Sequence, residues 1–453
     1  MKKKKIFLQG SLNPSTRLYR NIVEADGGEV LNKVDVNRVV TALKDQRKWD
    51  GVEKMYLGFG GVKTADDGGR TVIETLYDVK SGGDTKETYA GNDRPELHQT
   101  LAGKYQACVE KGATNLCRNS DPATDPGSGL EVTYATNDWG IKYGTHELNG
   151  KVIFGDSSVN RFYRDVERLT NGVMYTAQFL IKPDDGNAPS FGTSSRNIAR
   201  LSVGGTVTSG YTITPYAEGI WHVYVSNVAT TNTSIAGIRK TGSNNDVGFE
   251  ATAIQFEEGS YPTLYIPTTG SAVPRPAPSP VIENALPDTG TVAGVVDMVM
   301  AVSNFDDIFD TGGTSGTQRS RFTINSSNTI FNYFYGSDGG SIGAGATFPF
   351  SFDDFSRYKF AYASTFDGSG LALYIFWHST KEIKTLSSGH AINTTTLKDV
   401  DLGSQRNSRR FEKMWYKDDI IRVNATDDEI KQFFEDLTRG TSMATLKENM
   451  TII

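Results

Sequence analysis

Two kinds of hydrophobic spacing divide the chain. Residues 35–48 carry valines and a leucine at helical spacing behind Asp35, a candidate N-cap, and they predict an amphipathic helix. The apolar run at 52–60 leads into glycines and predicts a strand that enters a turn, whereas 95–112 returns to helical spacing. Residues 1–118 are therefore predicted to form a small α/β or α+β module.

From residue 130 onward, apolar residues recur at a period of two, which is the spacing of β-strands. The clearest such runs occupy 174–181, 220–225 and 249–256. Alternation within the second run places Ile220, His222 and Tyr224 on one face of a strand. Short strands with Gly or Asn turns between them predict an antiparallel jelly-roll sandwich over 130–270.

Two segments rich in turn-forming residues separate these regions. Residues 119–129 combine Pro, Asp, Gly and Ser and predict a linker. Six of the fifteen prolines fall between Pro262 and Pro280. Because closely spaced prolines favour polyproline II, residues 271–290 are predicted to be a semi-rigid linker.

A second set of strands follows the prolines. The period-two pattern continues as far as 411–423 and predicts a second antiparallel sandwich over 291–437. Thr426 and Glu429 have the spacing of a capping box, so a short helix is expected to close this unit. Residues 438–453 remain as a C-terminal tail.

Composition agrees with a multidomain, mainly β protein, a small N-terminal α/β (or α+β) module followed by two antiparallel β-sandwiches. The 453 residues include 47 Gly, 23 Phe, 20 Tyr and 5 Trp, which favours many short strands joined by tight turns. A length of this size also predicts about three folding units.

Charge and cysteine usage exclude several classes of protein. The 47 basic and 53 acidic residues give a net charge of −6, which argues against a nucleic-acid partner. No apolar run reaches the ~18 residues of a spanning helix, and the apolar run after Lys5 is too short for a signal peptide, so synthesis in a cytoplasm is expected. Cys108 and Cys117 are expected to be reduced structural thiols, with a bridge between them left open.

Residues 249–275 carry the string FEATAIQFEEGSYPTLYIPTTGSAVPR, which resembles the signature that closes a jelly-roll, carbohydrate-binding-like domain in many phage tail and fibre proteins. The strands at 169–183 and 219–226 resemble upstream strands of the same domain, so the resemblance covers about 135–275. Three positions depart from the pattern, namely Phe256 for Leu, Leu264 for Ser and Pro274 for Thr.

Residues 303–437 are similar to the concanavalin A-like (laminin-G-like) sandwich that follows this jelly-roll in such phage proteins. Matching strings lie at 304–310, 319–324, 365–368, 371–375 and 415–430, in the family's order. The segment 36–59 resembles a further virion module. The resemblance implies a phage virion protein, a tail or head fibre or appendage, whose N-terminal module attaches to other virion proteins of the capsid or tail. The two lectin-like sandwiches would bind host-surface polysaccharide, with the chain as a homo-oligomer in the virion.

Aromatic residues are the candidate glycan contacts, because an aromatic face packs against the C–H groups of a sugar ring. The candidates are Trp139, Tyr333, Tyr335 and Trp377. Core packing is the favoured alternative for Trp377, which ends an apolar strand. His222, beside Trp221, is expected to be a core or edge histidine rather than a ligand.

A metal site is a further hypothesis. Asp306, Asp307 and Asp310 precede a Gly pair in a predicted loop, and oxygen ligands of this kind suit Ca²⁺. A polar turn is the favoured alternative. No cofactor other than Ca²⁺ is implied.

Catalytic motifs are absent from the sequence: there is no G-x-S-x-G, no H-E-x-x-H and no P-loop. Adjacent acids such as Glu257 and Glu258 point to opposite faces of a strand, which does not suit a glycosidase pair. The chain is therefore expected not to be an enzyme. A structural decoration or adaptor protein is the alternative function, and a glycan depolymerase is a weaker one.

Overall fold

A computed structural model describes the protein at residues 12–45, 47–99, 105–118, 120–122, 132–154, 161–191, 199–203, 209–240, 247–278, 280–282, 290–300, 306–310, 320–324, 329–335, 341–347, 356–366, 370–377, 381–388, 400–401, 409–417, 425–426, 428–429, 432–433 and 437. Within them the protein is mainly β, with several antiparallel sheets and a small N-terminal helical module, as the sequence predicts.

The N-terminal elements are two helices and eight strands. The helices are α1 (Pro14–Ala25) and α2 (Lys33–Asp45), and the strands are β1 (Glu29–Val30), β2 (Val52–Leu57), β3 (Gly61–Asp67), β4 (Arg70–Tyr77), β5 (Lys86–Thr88), β6 (Glu96–Gln99), β7 (Tyr105–Val109) and β8 (Ala113–Asn115). The strand predicted at 52–60 is confirmed. The helical interpretation of 95–112 is wrong, because β6 and β7 pair with each other inside a large sheet and this pairing overrides the local spacing.

The helix predicted at 35–48 is confirmed, but it begins two residues earlier, at Lys33, and ends at Asp45. Asn32 Oδ1 accepts a hydrogen bond from the backbone N–H of Asp35 at 3.0 Å, as a capping side chain does. Asp35 is therefore not the N-cap. Its buried carboxylate accepts instead from Asn32 Nδ2 at 2.8 Å and from Arg38 Nη1 at 2.9 Å.

Eleven strands follow in the central region. They are β9 (Val132–Thr136), β10 (Lys142–Tyr143), β11 (His146–Glu147), β12 (Gly150–Phe154), β13 (Arg161–Leu169), β14 (Met174–Pro183), β15 (Ala199–Val203), β16 (Thr212–Ala217), β17 (Ile220–Val228), β18 (Thr233–Lys240) and β19 (Phe249–Glu258). A six-stranded sheet, in the order β16-β17-β14-β19-β12-β9, accompanies a three-stranded sheet, β13-β18-β15. We call this unit the central sandwich. Its core contains Phe154, Phe179, Val223 and Phe249.

Twelve further strands follow the central sandwich. They are β20 (Val273–Arg275), β21 (Val281–Ile282), β22 (Gly290–Met300), β23 (Asp306–Asp310), β24 (Ser320–Ile324), β25 (Thr329–Tyr335), β26 (Ser341–Thr347), β27 (Ser356–Phe366), β28 (Gly370–Trp377), β29 (Lys381–Ser388), β30 (Val400–Asp401) and β31 (Arg409–Lys417). One six-stranded sheet has the order β21-β30-β23-β24-β25-β26.

The N-terminal strands and the C-terminal strands form one sheet. Its order is β1-β3-β4-β6-β7-β31-β22-β27-β28-β29, with β2 on β31 and β5 on β4. Met55 of β2 lies opposite Trp415, and Cys108 of β7 lies opposite Arg410. The predicted domain bounds stay a prediction. They separate residues 1–118 from 291–437, whereas strands of these two regions share one sheet.

The helices pack on one face of this shared sheet. The core there joins Tyr19 of α1 and Val39 of α2 to Val295 of β22 and to Phe433 and Leu437 of the C-terminal helix. The predicted capping box of that helix is confirmed: the Thr426 N–H donates to Glu429 Oε2 at 2.8 Å, and the Glu429 N–H donates to Thr426 Oγ1 at 3.4 Å. We call the elements before β8 and those after β20 together the shared-sheet unit.

The chain enters and leaves the central sandwich through a paired neck. Strand β8, before the sandwich, pairs antiparallel with β20, after it, so that Ala113 lies opposite Arg275. The start of the segment predicted as a semi-rigid linker at 271–290 is therefore a strand held by a partner. Cys108 and Cys117, on either side of β8, are both buried and not bonded to each other.

No helix within the described ranges is long and apolar enough to cross a membrane.

Candidate functional site

Side-chain alternation gives the six-stranded sheet of the central sandwich two distinct faces. Ala177 and Phe179 of β14 and Val223 of β17 point into the core of the sandwich. The intervening residues, including Gln178 and His222, therefore lie on the opposite, outer face. The sharing of one face by Ile220, His222 and Tyr224 was the sequence prediction, and the buried positions of Val223 and Val225 agree with it.

Aromatic rings form a connected group on the outer face. Tyr143 is central to it: its ring centroid lies 5.2 Å from Tyr216 edge to face, 5.8 Å from His222, and 5.6 Å from Tyr265 in a stacked arrangement. His222 continues to Tyr224 at 5.9 Å. We call these five residues the aromatic face. Tyr143 and Tyr265 are buried, whereas Tyr216, His222 and Tyr224 remain partly exposed.

Gln178 fixes the orientation of two of these rings, Tyr143 and His222. Its Nε2 donates to the Thr263 carbonyl at 2.7 Å, so its Oε1 is the acceptor for the other contacts. That oxygen accepts from the Tyr143 hydroxyl at 3.0 Å and lies 3.0 Å from His222 Nε2. Since an amide oxygen only accepts, His222 must carry a proton on Nε2 in this arrangement. The amide oxygen of Gln178 thereby orients the imidazole.

Two threonines of the edge strand flank the exposed rings. In the pairing of β16 with β17, Thr212 lies opposite Tyr224 and Thr214 lies opposite His222. Both threonines are partly exposed. Residues directly opposite in an antiparallel pair project to the same side of the sheet. The exposed part of the aromatic face thus combines ring surfaces with hydroxyl groups.

A bulge in β19 shapes the buried end of the aromatic face. Ala253 has φ of 53°, and the register between β14 and β19 shifts between Gln178 and Leu180. The extra residue lets Ala253 pack with Tyr143 and Tyr265 on the outer side, while the next residue, Ile254, packs in the core.

The segment after β19 covers part of the outer face. Tyr261, Tyr265 and Ile266 of this segment are buried. Glu257 anchors the segment: it accepts from the Thr263 N–H at 2.6 Å and from Thr263 Oγ1 at 2.8 Å. Burial raises the pKa of Glu257, while nearby Lys111 opposes the shift.

Lys111 connects the shared-sheet unit to this covering segment. Its Nζ lies 4.1 Å from the centroid of the Tyr261 ring, in a cation–π contact. Burial lowers the pKa of Lys111. The contact places a residue from the N-terminal part of the chain directly against the central sandwich.

Trp139 is the predicted glycan contact whose side chain the structure describes. It is half-buried, and its Nε1 donates to Glu250 Oε2 at 2.5 Å. It packs against the apolar group that contains Tyr143 and Leu148. Lys151 lies beside it and donates to Glu250 Oε1 at 2.6 Å and to Asp138 Oδ1 at 2.7 Å. Trp139 therefore borders the aromatic face, and its sugar contact stays a prediction.

The other three predicted glycan contacts lie in strands that follow the central sandwich. Tyr333 and Tyr335 belong to β25, and Trp377 ends β28. Their side chains fall outside the described part, so the structure does not test them.

Asp306, Asp307 and Asp310 lie in β23, so the loop predicted for them is wrong. Asp306 pairs opposite Ile324, and Asp310 pairs opposite Arg321 and Asp401. The composition of the segment favours a turn, but β23 pairs with β24 on one side and with β30 on the other and is therefore a strand. Across the described residues, no three His, Cys, Asp or Glu side chains gather in a way that would hold a metal. Calcium binding stays a prediction.

Sequence reasoning missed most of the aromatic face. Tyr143, Tyr216 and Tyr265 come from a hairpin, an edge strand and a covering segment, and no local pattern connects them. His222 was expected to be a core or edge histidine, and it is in fact half-buried within this group. The one sequence signal for this group is the alternation at 220–225, which places His222 and Tyr224 on the same face of a strand.

Comparisons with known proteins do not identify a family for this chain. No family profile matches the chain, and no curated protein matches its sequence. Among solved structures, similarity was found to the laminarinase catalytic domain from Thermotoga maritima MSB8 in complex with cetyltrimethylammonium bromide, at 10% identity and a TM-score of 0.21, over 33% of this chain and 72% of that one. It was also found to the N-terminal CBM22-1–CBM22-2 tandem domain from Paenibacillus barcinonensis Xyn10C, at 8% identity and a TM-score of 0.24, over 68% of this chain and 98% of that one. TM-scores this low support no argument about fold or function.

Proposed function

We propose that the protein binds glycans through the aromatic face of the central sandwich. The observation that carries the proposal is the set of partly exposed rings, Tyr216, His222 and Tyr224, held beside Thr212 and Thr214. Ring faces pack against sugar C–H groups, and hydroxyls bond the sugar's own hydroxyls. Because Gln178 holds His222, and Tyr143 packs against both Tyr216 and His222, little side-chain entropy of these two rings is lost on binding.

We further propose that this binding serves a bacteriophage virion protein, a tail or head fibre or appendage. The resemblance of residues 135–275 and 303–437 to sandwiches of phage fibres supports this proposal. Fibres present several copies of one chain, so weak single contacts with a host-surface polysaccharide add up through multivalency. The partners would be other virion proteins, and the location would be the virion.

The proposed activity is binding without cleavage. A depolymerase would release new reducing ends from a polysaccharide, whereas a binding protein would not. A structural adaptor would bind neither neutral nor acidic glycans in any multimeric form. Incubation with host-envelope polysaccharide, followed by a reducing-end assay and a pull-down, therefore separates the three functions.

Replacing Tyr224 tests the site. We expect Tyr224→Ala to weaken glycan-array binding of the full, multimerised chain by about three- to tenfold, because one ring contact is lost. Tyr224→Phe is the matched control: it keeps the ring and should keep most of the binding. Both variants should melt near the wild-type temperature, since the side chain is partly exposed. Unchanged array binding by Tyr224→Ala would remove the aromatic face from the proposal.

A further inference from the structure

Two elements outside the six-stranded sheet supply the buried rings of the aromatic face. Tyr143 belongs to the β10–β11 hairpin, and Tyr265 belongs to the covering segment that follows β19. The two rings stack on each other with their centroids 5.6 Å apart. Neither the hairpin nor the covering segment pairs with the six-stranded sheet. The position of both rings therefore depends on the contacts that hold these two elements in place.

The hairpin turns directly against the shared-sheet unit. Gly144, in the turn between β10 and β11, has φ of 63°, a conformation that favours glycine. A Cβ atom at this position would lie 2.8 Å from Nδ1 of His98 on β6, which is itself buried. Any larger residue would have to displace either His98 or the hairpin. Glycine thus permits the close approach of the hairpin to β6.

His146 joins the hairpin to both the covering segment and β6. It is buried and lies opposite Tyr143 in the hairpin, and its ring meets that of Tyr265 edge to face, 5.7 Å between centroids. Its Nε2 has no hydrogen-bond partner among the residues that the structure describes, but it lies 3.5 Å from Oε1 of Glu96 on β6. Because burying a ring nitrogen away from polar groups is costly, this carboxylate stabilises His146 in its position.

Glu96 also contacts the group that holds the covering segment. Its second oxygen, Oε2, lies 3.5 Å from Nη1 of Arg275, and the same nitrogen donates to the Leu264 carbonyl at 3.0 Å. Leu264 directly precedes Tyr265 in the chain. The side chains of Glu96 and Arg275 are 7% and 2% exposed, so salt and water screen this contact little. One buried carboxylate of the shared-sheet unit therefore lies between the hairpin and the covering segment.

We propose that Glu96 is a positioning residue of the aromatic face. It holds the hairpin through His146 and the covering segment through Arg275, and it does not touch the glycan itself. The buried rings of these two elements support the exposed rings. A carboxylate from the N-terminal part of the chain thus contributes to a site on the central sandwich. The effect on glycan affinity rests on the proposed function, whereas the positioning of the rings rests on the contacts of Glu96 alone.

Tyrosine ring signals test the positioning without any glycan. In NMR spectra of the full chain with ¹³C-labelled tyrosine rings, single Tyr→Phe variants identify the signals of Tyr143, Tyr265 and Tyr175, the last in the core of the central sandwich. Glu96→Ala should move the first two signals and leave that of Tyr175 in place. Glu29→Ala, an exposed change in the same unit, is the matched control and should move none of them. Unchanged signals in Glu96→Ala, or an equal movement of Tyr175, would overturn the proposal.

A second variant decides the question if Glu96→Ala does not fold. Glu96→Asp keeps the charge but shortens the side chain by one methylene, so the carboxylate cannot stay within reach of both His146 and Arg275. At least one of the two signals, of Tyr143 or of Tyr265, should therefore move. Wild-type positions of both signals in Glu96→Asp would overturn the proposal.

Glycan affinity tests the consequence for the proposed function. The probe is an array of neutral oligosaccharides, read with the multimerised full chain. Glu96→Ala should weaken binding by about two- to tenfold, because rings that are no longer held lose side-chain entropy on binding, and Glu29→Ala should not. If Tyr224→Ala weakens binding but Glu96→Ala does not, the proposed function stands and the positioning role is overturned. If wild type binds no oligosaccharide, the proposed function fails, and the ring signals alone decide the positioning role.

Discussion

The shared-sheet unit and the central sandwich are built in opposite ways. The central sandwich uses strands from one continuous stretch, β9 to β19, and has its own core. The shared-sheet unit takes its strands from both ends of the chain, with β31 placed between β22 on one side and β2 and β7 on the other. Its core likewise combines N-terminal helices with Phe433 and Leu437. The central sandwich is therefore an insertion into a unit that neither terminus completes alone.

This difference changes the domain organisation that the proposed phage fibre would have. An N-terminal anchor followed by two separate sandwiches would allow the first module to be exchanged freely. A sheet that continues from β1 to β29 instead joins the N-terminal strands to the C-terminal sandwich, and the β8–β20 pair holds the base of the insertion. A groove of about 710 Å³ lies beside this pair, lined by residues 112–114 of the incoming chain and 274–276 of the outgoing chain.

The largest expected effect comes from cutting the chain. Residues 1–118 expressed alone should fail to unfold cooperatively, because β2 and β7 lose β31 and the helices lose the C-terminal part of their core. Residues 113–275 should unfold cooperatively, because their strands pair among themselves. Circular dichroism melts of the two fragments measure this. A cooperative melt of residues 1–118 would show instead that the N-terminal elements form a stable unit without β31.

A smaller effect is expected from single core substitutions in the two units. Phe433→Ala should destabilise the shared-sheet unit by about 3–5 kcal/mol, the usual cost of removing a buried phenyl ring. Phe179→Ala is the matched variant and should destabilise the central sandwich by a similar amount. Denaturant titration followed by hydrogen exchange assigns each loss to its unit. Equal loss of protection in both units would show that they unfold as one.

The smallest expected effect is a pH dependence at the junction. Burial raises the pKa of Glu257 in the folded protein. Its contribution to stability is therefore fully present below the pKa of the unfolded chain, near 4.3, and is lost as the pH rises through the raised folded value. Wild type should lose stability relative to Glu257→Gln as the pH increases from about 4 to 8. Urea titrations across this range measure the difference, and a difference that does not change with pH would contradict the prediction.

The strands of the candidate site could be predicted from the sequence, but the contacts between its rings could not. Alternation placed His222 and Tyr224 on one face, but the contact of that face with Tyr143 depends on the β10–β11 hairpin, and its contact with Tyr265 depends on the segment after β19. The proline spacing places Arg275 in the predicted linker at 271–290. Its burial follows from β20 pairing with β8, about 160 residues earlier.

Features that depend on neighbouring residues follow from the amino-acid sequence alone. These are the mainly β class, the two faces of 220–225, helix α2 and the capping box at Thr426, because periodicity and capping act over a few residues. The tertiary structure decided which strands became partners. Residues 95–112 have helical spacing yet form β6 and β7, because sheet hydrogen bonds and burial against β31 outweigh a weak local preference. The choice of a partner 300 residues away leaves no local pattern, so only the folded chain reveals the shared sheet and the groove beside its neck.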